Sequence, residues 1–541
     1  MKKLYTLVLQ VTSLFALADC SDEAVDSKYY DPSKTTTVTC DKIMTGAFMA
    51  GRDYTFNAYW RMYTWDYNFG KLAQTIGFNN NSGSVYYIND GYSSDRWGNF
   101  YKILAQYRLM EKVYNGESAA EQADDRIFLA LTEVFMYDHL SQIVDLFGPV
   151  PFTTAGTLGT TGNLSESYPA YDSDVELYKM MLTKLDALYN EISSAKTSVS
   201  STVSAKLKNQ DFINGGDLDR WLKYANSLRL RLGVHVAAQG ALTSEGKAAV
   251  ASAAGRALIS NNEESIVVKS DYDGFKYWEN FRDSFKDINN TASQKMIDAM
   301  QVTGKDDPRL KVIYTPGLGA EGKFNGKSTS ETTDEQNARD ELGNNIQTKY
   351  YASLDSASFT ANGLLVSPVL SAAETYFLLA ESYQQGYASG NAKDAFKKGV
   401  FCSIQQYYDQ NINSDQTNIS IPEHTYKATE AERPSEADCL AYAEEVWNTY
   451  SNKLEAIMTQ QWLHFGIMQA TQAWTDIRRT GYPQLDYPED KGSGVKVNNI
   501  RQRVAYPEVE AANNTANYQA NLSNVNNDSV YYVLFWAKEL K

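Results

Sequence analysis

The sequence has few of the residues that usually cross-link proteins or bind metals, with 4 Cys and 4 His among 541 residues. His139, His235, His424 and His464 lie far apart, and the pattern H-E-x-x-H does not occur. The sequence therefore predicts neither a zinc site nor a histidine-dependent catalytic triad. We expect no metal and no other cofactor.

The cysteines do not form a disulfide framework. Apart from Cys20 near the N-terminus, the chain has Cys40, Cys402 and Cys439, an odd number without C-x-x-C spacing. A disulfide between Cys402 and Cys439 is possible in an oxidising compartment, and free buried thiols are the alternative. A chain of this length can bury a large core, so it does not need covalent staples.

Positive charge is also in deficit. The chain has 50 Lys and Arg against 66 Asp and Glu, a formal net charge of -16. Such a protein offers no counter-charge to nucleic acid or to an anionic membrane surface, so neither is expected as its main partner. Neutral ligands remain.

Long apolar runs are missing beyond the N-terminus. Lys2 and Lys3 precede an apolar run over 4–17, which is typical of an export signal and short for a membrane span. The next residues, L-A-D-C over 17–20, are similar to a bacterial lipobox, in which the cysteine is acylated, although Asp19 replaces the usual small neutral residue. A plain signal peptide with a nearby cleavage site is the alternative.

These features divide the chain into three parts. We predict a signal peptide over 1–19 and a lipidated Cys20 that begins a polar, flexible tether over 20–45. One body follows over 46–541, with order starting near Ile43.

Helical patterns and aromatic residues are abundant. Asp219 to Gly240 carries apolar residues on two faces, which predicts a mostly buried helix whose Arg229 and Arg231 need acidic or carbonyl partners. Other predicted segments are helices over 123–143 and 174–195, a Ser/Thr/Ala/Lys linker over 196–208, a helix pair over 371–385 and 392–407, and short β segments near 266–269 and 311–315.

Five separated runs resemble the SusD/RagB family of outer-membrane nutrient-binding lipoproteins. The matching runs are F-G-x-V-P (147–151), W-x-K-x-A-N-S-L-R-x-R-L (221–232), L-A-E-S-Y-x-x-G (379–386), W-x-x-x-R-R-T-G-Y-P (474–483) and R-Q-R-V-A-Y-P (501–507). The resemblance implies a mainly α fold, with tetratricopeptide-like helix pairs, long ligand-binding loops and minor β segments. It also implies a place in the cell outer membrane, facing outward, beside a SusC-like TonB-dependent transporter.

Catalytic motifs do not emerge. Residues 317–322 fit G-x-G-x-x-G, but the residues that follow have a loop composition instead of opening a helix. Asp271 and Asp273 lack the other ligands of a calcium loop. The 66 carboxylates include many pairs, and nothing in the sequence selects one as a glycosidase acid and base.

Two aromatic stretches set among polar residues are the candidate ligand surface, because sugars stack their C–H faces on aromatic rings. These candidate residues are Tyr87, Tyr92 and Trp97 in the first stretch, and Tyr272, Tyr277 and Trp278 in the second. Core packing is the alternative for each ring. We expect Trp97→Ala or Trp278→Ala to weaken glycan binding with little change in thermal unfolding.

The leading hypothesis is a non-catalytic surface lipoprotein that binds oligosaccharides and delivers them to the transporter for uptake. It contacts the membrane through its lipid anchor only. A peptide-binding lid of a RagA-like transporter is the close alternative, and a secreted glycan hydrolase is a more distant one.

Overall fold

The computed structural model describes residues 38–78, 86, 88–269, 277–285, 290–329, 350–416, 425–488 and 500–540. Residues 40–541 form one compact unit, which holds the secondary structure described below. Its α-helices are α1 (Cys40–Ala50), α2 (Arg52–Thr55), α3 (Tyr67–Leu72), α4 (Asp90–Asn115), α5 (Ala119–Phe147), α6 (Leu158–Thr161), α7 (Asp174–Ser198), α8 (Ser201–Gln210), α9 (Leu218–Ala237), α10 (Thr243–Ala254), α11 (Tyr277–Phe285), α12 (Gln294–Met300), α13 (Leu310–Ile313), α14 (Ala372–Gln384), α15 (Ala392–Ile412), α16 (Glu436–Thr449), α17 (Lys453–Phe465), α18 (Ala470–Thr480), α19 (Glu508–Asn513) and α20 (Thr515–Asn521).

The remaining regular elements are short. The strands β1 (Ile266–Val268) and β4 (Ser367–Leu370) form one antiparallel pair, and β2 (Tyr314–Thr315) and β3 (Ser353–Leu354) form another. A π-helix covers Trp60–Asp66. The prediction of a mainly α fold with minor β segments is confirmed.

Consecutive helices pack in pairs across short turns, as in tetratricopeptide repeats. The pairs α4 with α5, α9 with α10, and α14 with α15 are in extensive contact. Local signals set their ends: Ser118 and Glu121 form a capping box at the start of α5, and Asn391 caps α15. Gly148 ends α5 at a φ of 82°, a conformation that glycine adopts without strain.

Helix α5 is long and apolar enough to cross a membrane by length and composition, but 94% of its apolar 18-residue stretch is buried inside the protein. Its long run of interior residues, from Ile127 to Ser141, packs against α1, α4 and α7. Helix α5 is therefore a core helix, around which neighbouring pairs are arranged.

The family-like motifs meet in the interior through arginine side chains. Arg479 pairs with Glu381 and lies 3.0 Å from Asp476, and Arg231 donates to Glu374 over 2.8 Å. Further along the chain, Arg503 donates to the carbonyl of Phe147 over 2.8 Å. A buried guanidinium group needs a polar partner. The arginines of these motifs therefore join segments that are distant in sequence.

Three sequence predictions need correction. Residues 40–45 belong to α1 instead of the tether, because Ile43 and Met44 are buried in the core. Residues 196–208 are not a linker: they complete α7 and form most of α8, which buries Val203 and Leu207 one turn apart. The β segment near 311–315 is mostly helix, and only its last two residues are extended. Cys402 and Cys439, whose pairing was left open, are free and buried.

Candidate ligand-binding site

The structure places the candidate aromatic residues in different environments. Trp97, Tyr277 and Trp278 are only 4%, 4% and 5% exposed. Tyr92 is half-buried, and Tyr87 and Tyr272 lie outside the described residues. In this conformation, Tyr92 is the one candidate among the described residues whose ring reaches the surface.

Trp97 packs inside a cluster of rings. Its centroid lies 5.2 Å from that of Phe147 and 5.8 Å from that of Tyr506, both in edge-to-face geometry. Phe147 and Tyr506 belong to two family-like motifs. The indole of Trp97 therefore helps to join α4 to the motif-built core.

Tyr277 and Trp278 begin α11. Tyr277 stacks on Phe56 at 4.4 Å between ring centroids, and the guanidinium of Arg282 lies 5.2 Å from the centroid of Trp278. Helix α11 also contacts the π-helix.

A row of aromatic rings runs along the π-helix, exposed at Tyr59 and half-buried at Tyr63 and Tyr67. Tyr59 stacks on Tyr63 at 5.1 Å, and Tyr63 stacks on Tyr67 at 6.1 Å, with interplanar angles of 18° and 10°. The N–H of Tyr67 donates to the carbonyl of Met62, five residues earlier, so each turn is wider than in an α-helix. Side chains four residues apart consequently project in nearly the same direction.

Trp60 completes this row, which we call the aromatic ladder: Tyr59, Trp60, Tyr63 and Tyr67. Tyr59 is 43% exposed and Trp60 is 37% exposed, with their rings edge to face at 5.5 Å. Tyr168 and Tyr531 are also exposed among the described residues, but each stands far from the ladder in sequence and outside its row of stacked rings. In the ladder, exposed aromatic rings therefore lie next to one another, whereas Tyr168 and Tyr531 are exposed outside it.

Tyr92 lies beside the ladder, in the first turn of α4. Its electrostatic neighbours are Tyr59 and Tyr63, and burial, followed by these phenols, raises the pKa of Tyr92. Asn89 accepts a hydrogen bond from the N–H of Gly91 and fixes the start of the helix. Tyr92 extends the ladder with a ring from a second element.

A cavity of about 60 Å³ lies against the π-helix on the side of Arg61, Trp65 and Asp66, and none of the ladder residues lines it. Arg61 and Asp66 of the π-helix form part of its wall, and Arg61 is held by Asp66 at 3.2 Å and by the carbonyl of Met468 at 2.8 Å. Burial raises the pKa of Asp66, and Arg61 opposes that shift. The partly exposed Gln142, Thr471 and Gln472 also line the cavity, so it reaches the surface there.

Three of the four histidines lie in the interior, and His139 is the one that lines this cavity. His139, His235 and His464 each contact hydroxyl groups in the interior, and burial lowers the pKa of His139 and His464, that of His464 to about 3. Elsewhere, Cys40, Glu117 and Asp125 bring potential metal ligands within 4.8 Å of one another. Burial raises the pKa of all three, and the Cys40 thiol donates to the Glu117 carboxylate over 3.6 Å.

The sequence analysis did not select the ladder because its residues lie in a region dense in aromatic residues, where no single ring stands out. The available signal was the spacing Tyr59, Tyr63, Tyr67, which places three tyrosines on one face. Nothing in the sequence showed that this face is turned outward.

A family model described as SusD-like, Susd and RagB outer membrane lipoprotein, matches residues 37–537. The chain belongs to the SusD/RagB family. The resemblance read from the five motifs is thereby confirmed. Among curated proteins, none matches the chain.

Solved structures of SusD-like proteins share the fold. A chitin-binding protein is 20% identical, with a TM-score of 0.70, over 92% of this chain and 100% of its own. A SusD homologue from Bacteroides fragilis is 18% identical, with a TM-score of 0.68, over 93% and 100% of the two chains. A chitin-binding SusD homologue from Flavobacterium johnsoniae is 18% identical, with a TM-score of 0.65, over 91% and 98%.

Proposed function

We propose that this SusD-like protein binds glycans on the aromatic ladder without chemically altering them. The observation that carries the proposal is the stacked row of rings along the π-helix, exposed at Tyr59 and Trp60, with Tyr92 on the neighbouring helix α4. Aromatic faces bind the C–H faces of sugars, and π-helical turns are frequent at functional sites. The chitin-binding relatives favour a glycan over other neutral ligands.

Trp60→Ala and Tyr59→Ala test the ladder. We expect each change to weaken binding of the glycan that binds best in a panel by about tenfold, roughly 1.4 kcal/mol, because a stacking ring is lost. The free energy of unfolding should change by less than about 0.5 kcal/mol, because both rings are exposed. Isothermal titration calorimetry and urea unfolding provide the two measurements.

Tyr168→Ala and Tyr531→Ala are matched controls, since each removes an exposed tyrosine outside the ladder. Equal loss in the controls, or unchanged affinity in both ladder variants, would remove the ladder from the site. A peptide mixture titrated in parallel should give no heat, and peptide binding alone would favour the RagB-like alternative. New reducing ends on incubation with the glycan would reveal a hydrolase.

We further propose that a lipid on Cys20 holds the protein on the outer face of the outer membrane, beside a SusC-like TonB-dependent transporter that receives the glycan. Membership of an outer membrane lipoprotein family supports this arrangement. Cys20→Ala should move the protein from the membrane fraction to the medium or periplasm. Retention of the variant in the membrane fraction would contradict the lipid anchor on Cys20. Absence of a transporter from the detergent extract would contradict the proposed partner.

A further inference from the structure

Three potential metal ligands meet where α1, α5 and the turn between α4 and α5 come together. Cys40 is the first residue of α1, Glu117 lies in the turn, and Asp125 lies in the second turn of α5. The Sγ of Cys40 and one carboxylate oxygen of each acid all lie within 4.8 Å of one another. The sequence alone predicted no metal, because 77 residues separate Cys40 from Glu117 and no ligand spacing is visible.

These three acidic groups, which we call the thiol–carboxylate cluster, are buried just below the surface. Cys40 is fully buried, the side chain of Asp125 is 10% exposed, and Glu117 is half-buried. Burial, followed by the charges of Glu117 and Asp125, raises the pKa of the Cys40 thiol. Because three negative charges so close together repel one another, ionising all three is costly unless a cation joins them.

The described residues supply little positive charge to the cluster. Its one ion pair among them joins Asp125 to Lys206 over 3.8 Å, and the Lys206 side chain is 39% exposed. In the same part of the chain, the Oε2 of Glu117 and the Oδ1 of Asp41 have no hydrogen-bond partner. Asp41, which is 6% exposed, follows Cys40 in α1, and its charge acts on Asp125. The region therefore contains more potential negative charge than positive charge, an arrangement that suits a bound cation.

The chemistry and spacing of the cluster fit Zn²⁺. Tetrahedral zinc, with Zn–S of about 2.3 Å and Zn–O of about 2.1 Å, places its ligand atoms about 3.4–3.6 Å apart. The Sγ of Cys40 is 3.6 Å from the Oε1 of Glu117, and the other pairs need to shorten by at most about 1.4 Å. A thiolate with two carboxylates favours zinc over Ca²⁺ and Mg²⁺, which prefer oxygen ligands alone.

We propose that Cys40, Glu117 and Asp125 bind one Zn²⁺ ion, with Asp41 or a water molecule as the fourth ligand. As the ion binds, the thiol and any protonated carboxyl group release their protons to solvent, and their sulfur and oxygen atoms donate electron pairs to the metal. The ion joins the first turn of α1 to the core helix α5 and stabilises their contact. This site is separate from the proposed glycan function and does not depend on it.

The test titrates the whole protein with Zn²⁺ by isothermal titration calorimetry and with Co²⁺ as a spectroscopic probe. We expect one Zn²⁺ per chain, and a thiolate-to-cobalt charge-transfer absorption that Zn²⁺ displaces. Cys40→Ser should abolish this absorption. Glu117→Gln and Asp125→Asn should weaken Zn²⁺ binding roughly tenfold or more, because even loss of an outer-shell partner costs about 10–100-fold. Cys402→Ser and Cys439→Ser, which each remove a buried free thiol outside the cluster, are matched controls and should leave both signals unchanged.

Urea unfolding gives a second readout: Zn²⁺ should raise the midpoint for the wild type and for both cysteine controls, but not for Cys40→Ser. Glu117→Gln, a half-buried and nearly isosteric change, keeps the test valid if Cys40→Ser fails to fold. Absence of Zn²⁺ binding to the wild type would mean that the cluster holds only protons, and it overturns the proposal. Zn²⁺ affinity that is unchanged in Cys40→Ser and Glu117→Gln, or Ca²⁺ binding as tight as that of Zn²⁺, also overturns it.

Discussion

The interior built by the family motifs and the region under the π-helix differ in whether their buried arginine groups are fully paired. In the interior, Arg231 and Arg479 meet carboxylates brought from distant segments. Beneath the π-helix, Arg96 bonds to Gln142 over 3.1 Å but keeps Nη1 without a partner among the described residues. The difference teaches that the family motifs describe the scaffold, whereas the proposed ligand contacts fall on residues outside them.

Removing a scaffold arginine should have the largest effect on stability. Arg479→Met leaves both Glu381 and Asp476 buried without their cation, so we expect a loss of about 5 kcal/mol in the free energy of unfolding. Urea unfolding provides the measurement. Lys305→Met, which breaks an exposed pair with Glu445, should cost less than about 1 kcal/mol. Similar losses of unfolding free energy in Arg479→Met and Lys305→Met would contradict the distinction between interior and surface ion pairs.

Trp97→Ala tests whether Trp97 belongs to the packed interior or to the ligand site. The structure buries its indole among Phe147 and Tyr506, so we expect a loss of about 3–5 kcal/mol in unfolding free energy. The sequence alone led to the opposite expectation, weaker glycan binding with little change in unfolding. Urea unfolding and calorimetry on the folded fraction decide between them. A stable variant with weakened binding would place Trp97 in the ligand site.

Asp174 should produce a smaller, pH-dependent effect. Burial raises its pKa to about 6 in the folded protein, above the usual value of 3.8. The folded state therefore retains this proton more strongly, which stabilises it at pH 4, and that contribution is lost as the pH rises through 6. Asp174→Asn should therefore lower the unfolding free energy at pH 4, relative to that at pH 7, by at most roughly 3 kcal/mol.

The control for this change is Asp219→Asn, whose side chain is 62% exposed. Urea unfolding at both pH values should show the wild-type pH dependence in the control. If Asp174→Asn also keeps the full wild-type dependence, another buried acid is responsible. Asp355, which has a pKa raised to about 6 by burial, would be the next residue to replace.

The sequence by itself determined the family, the helical class and the buried character of α9. These follow from local periodicity, capping residues and arginines that must find partners wherever they are buried. It could not determine which tyrosines face outward, because an aromatic residue has the same local pattern in a core and in a binding site. The tertiary structure decided that Trp97 and Trp278 pack inward and that the π-helix turns Tyr59 and Trp60 to solvent. It also brought Tyr54, Trp65, Arg96 and His139 to one cavity, a convergence that depends on how α2, the π-helix, α4 and α5 pack together.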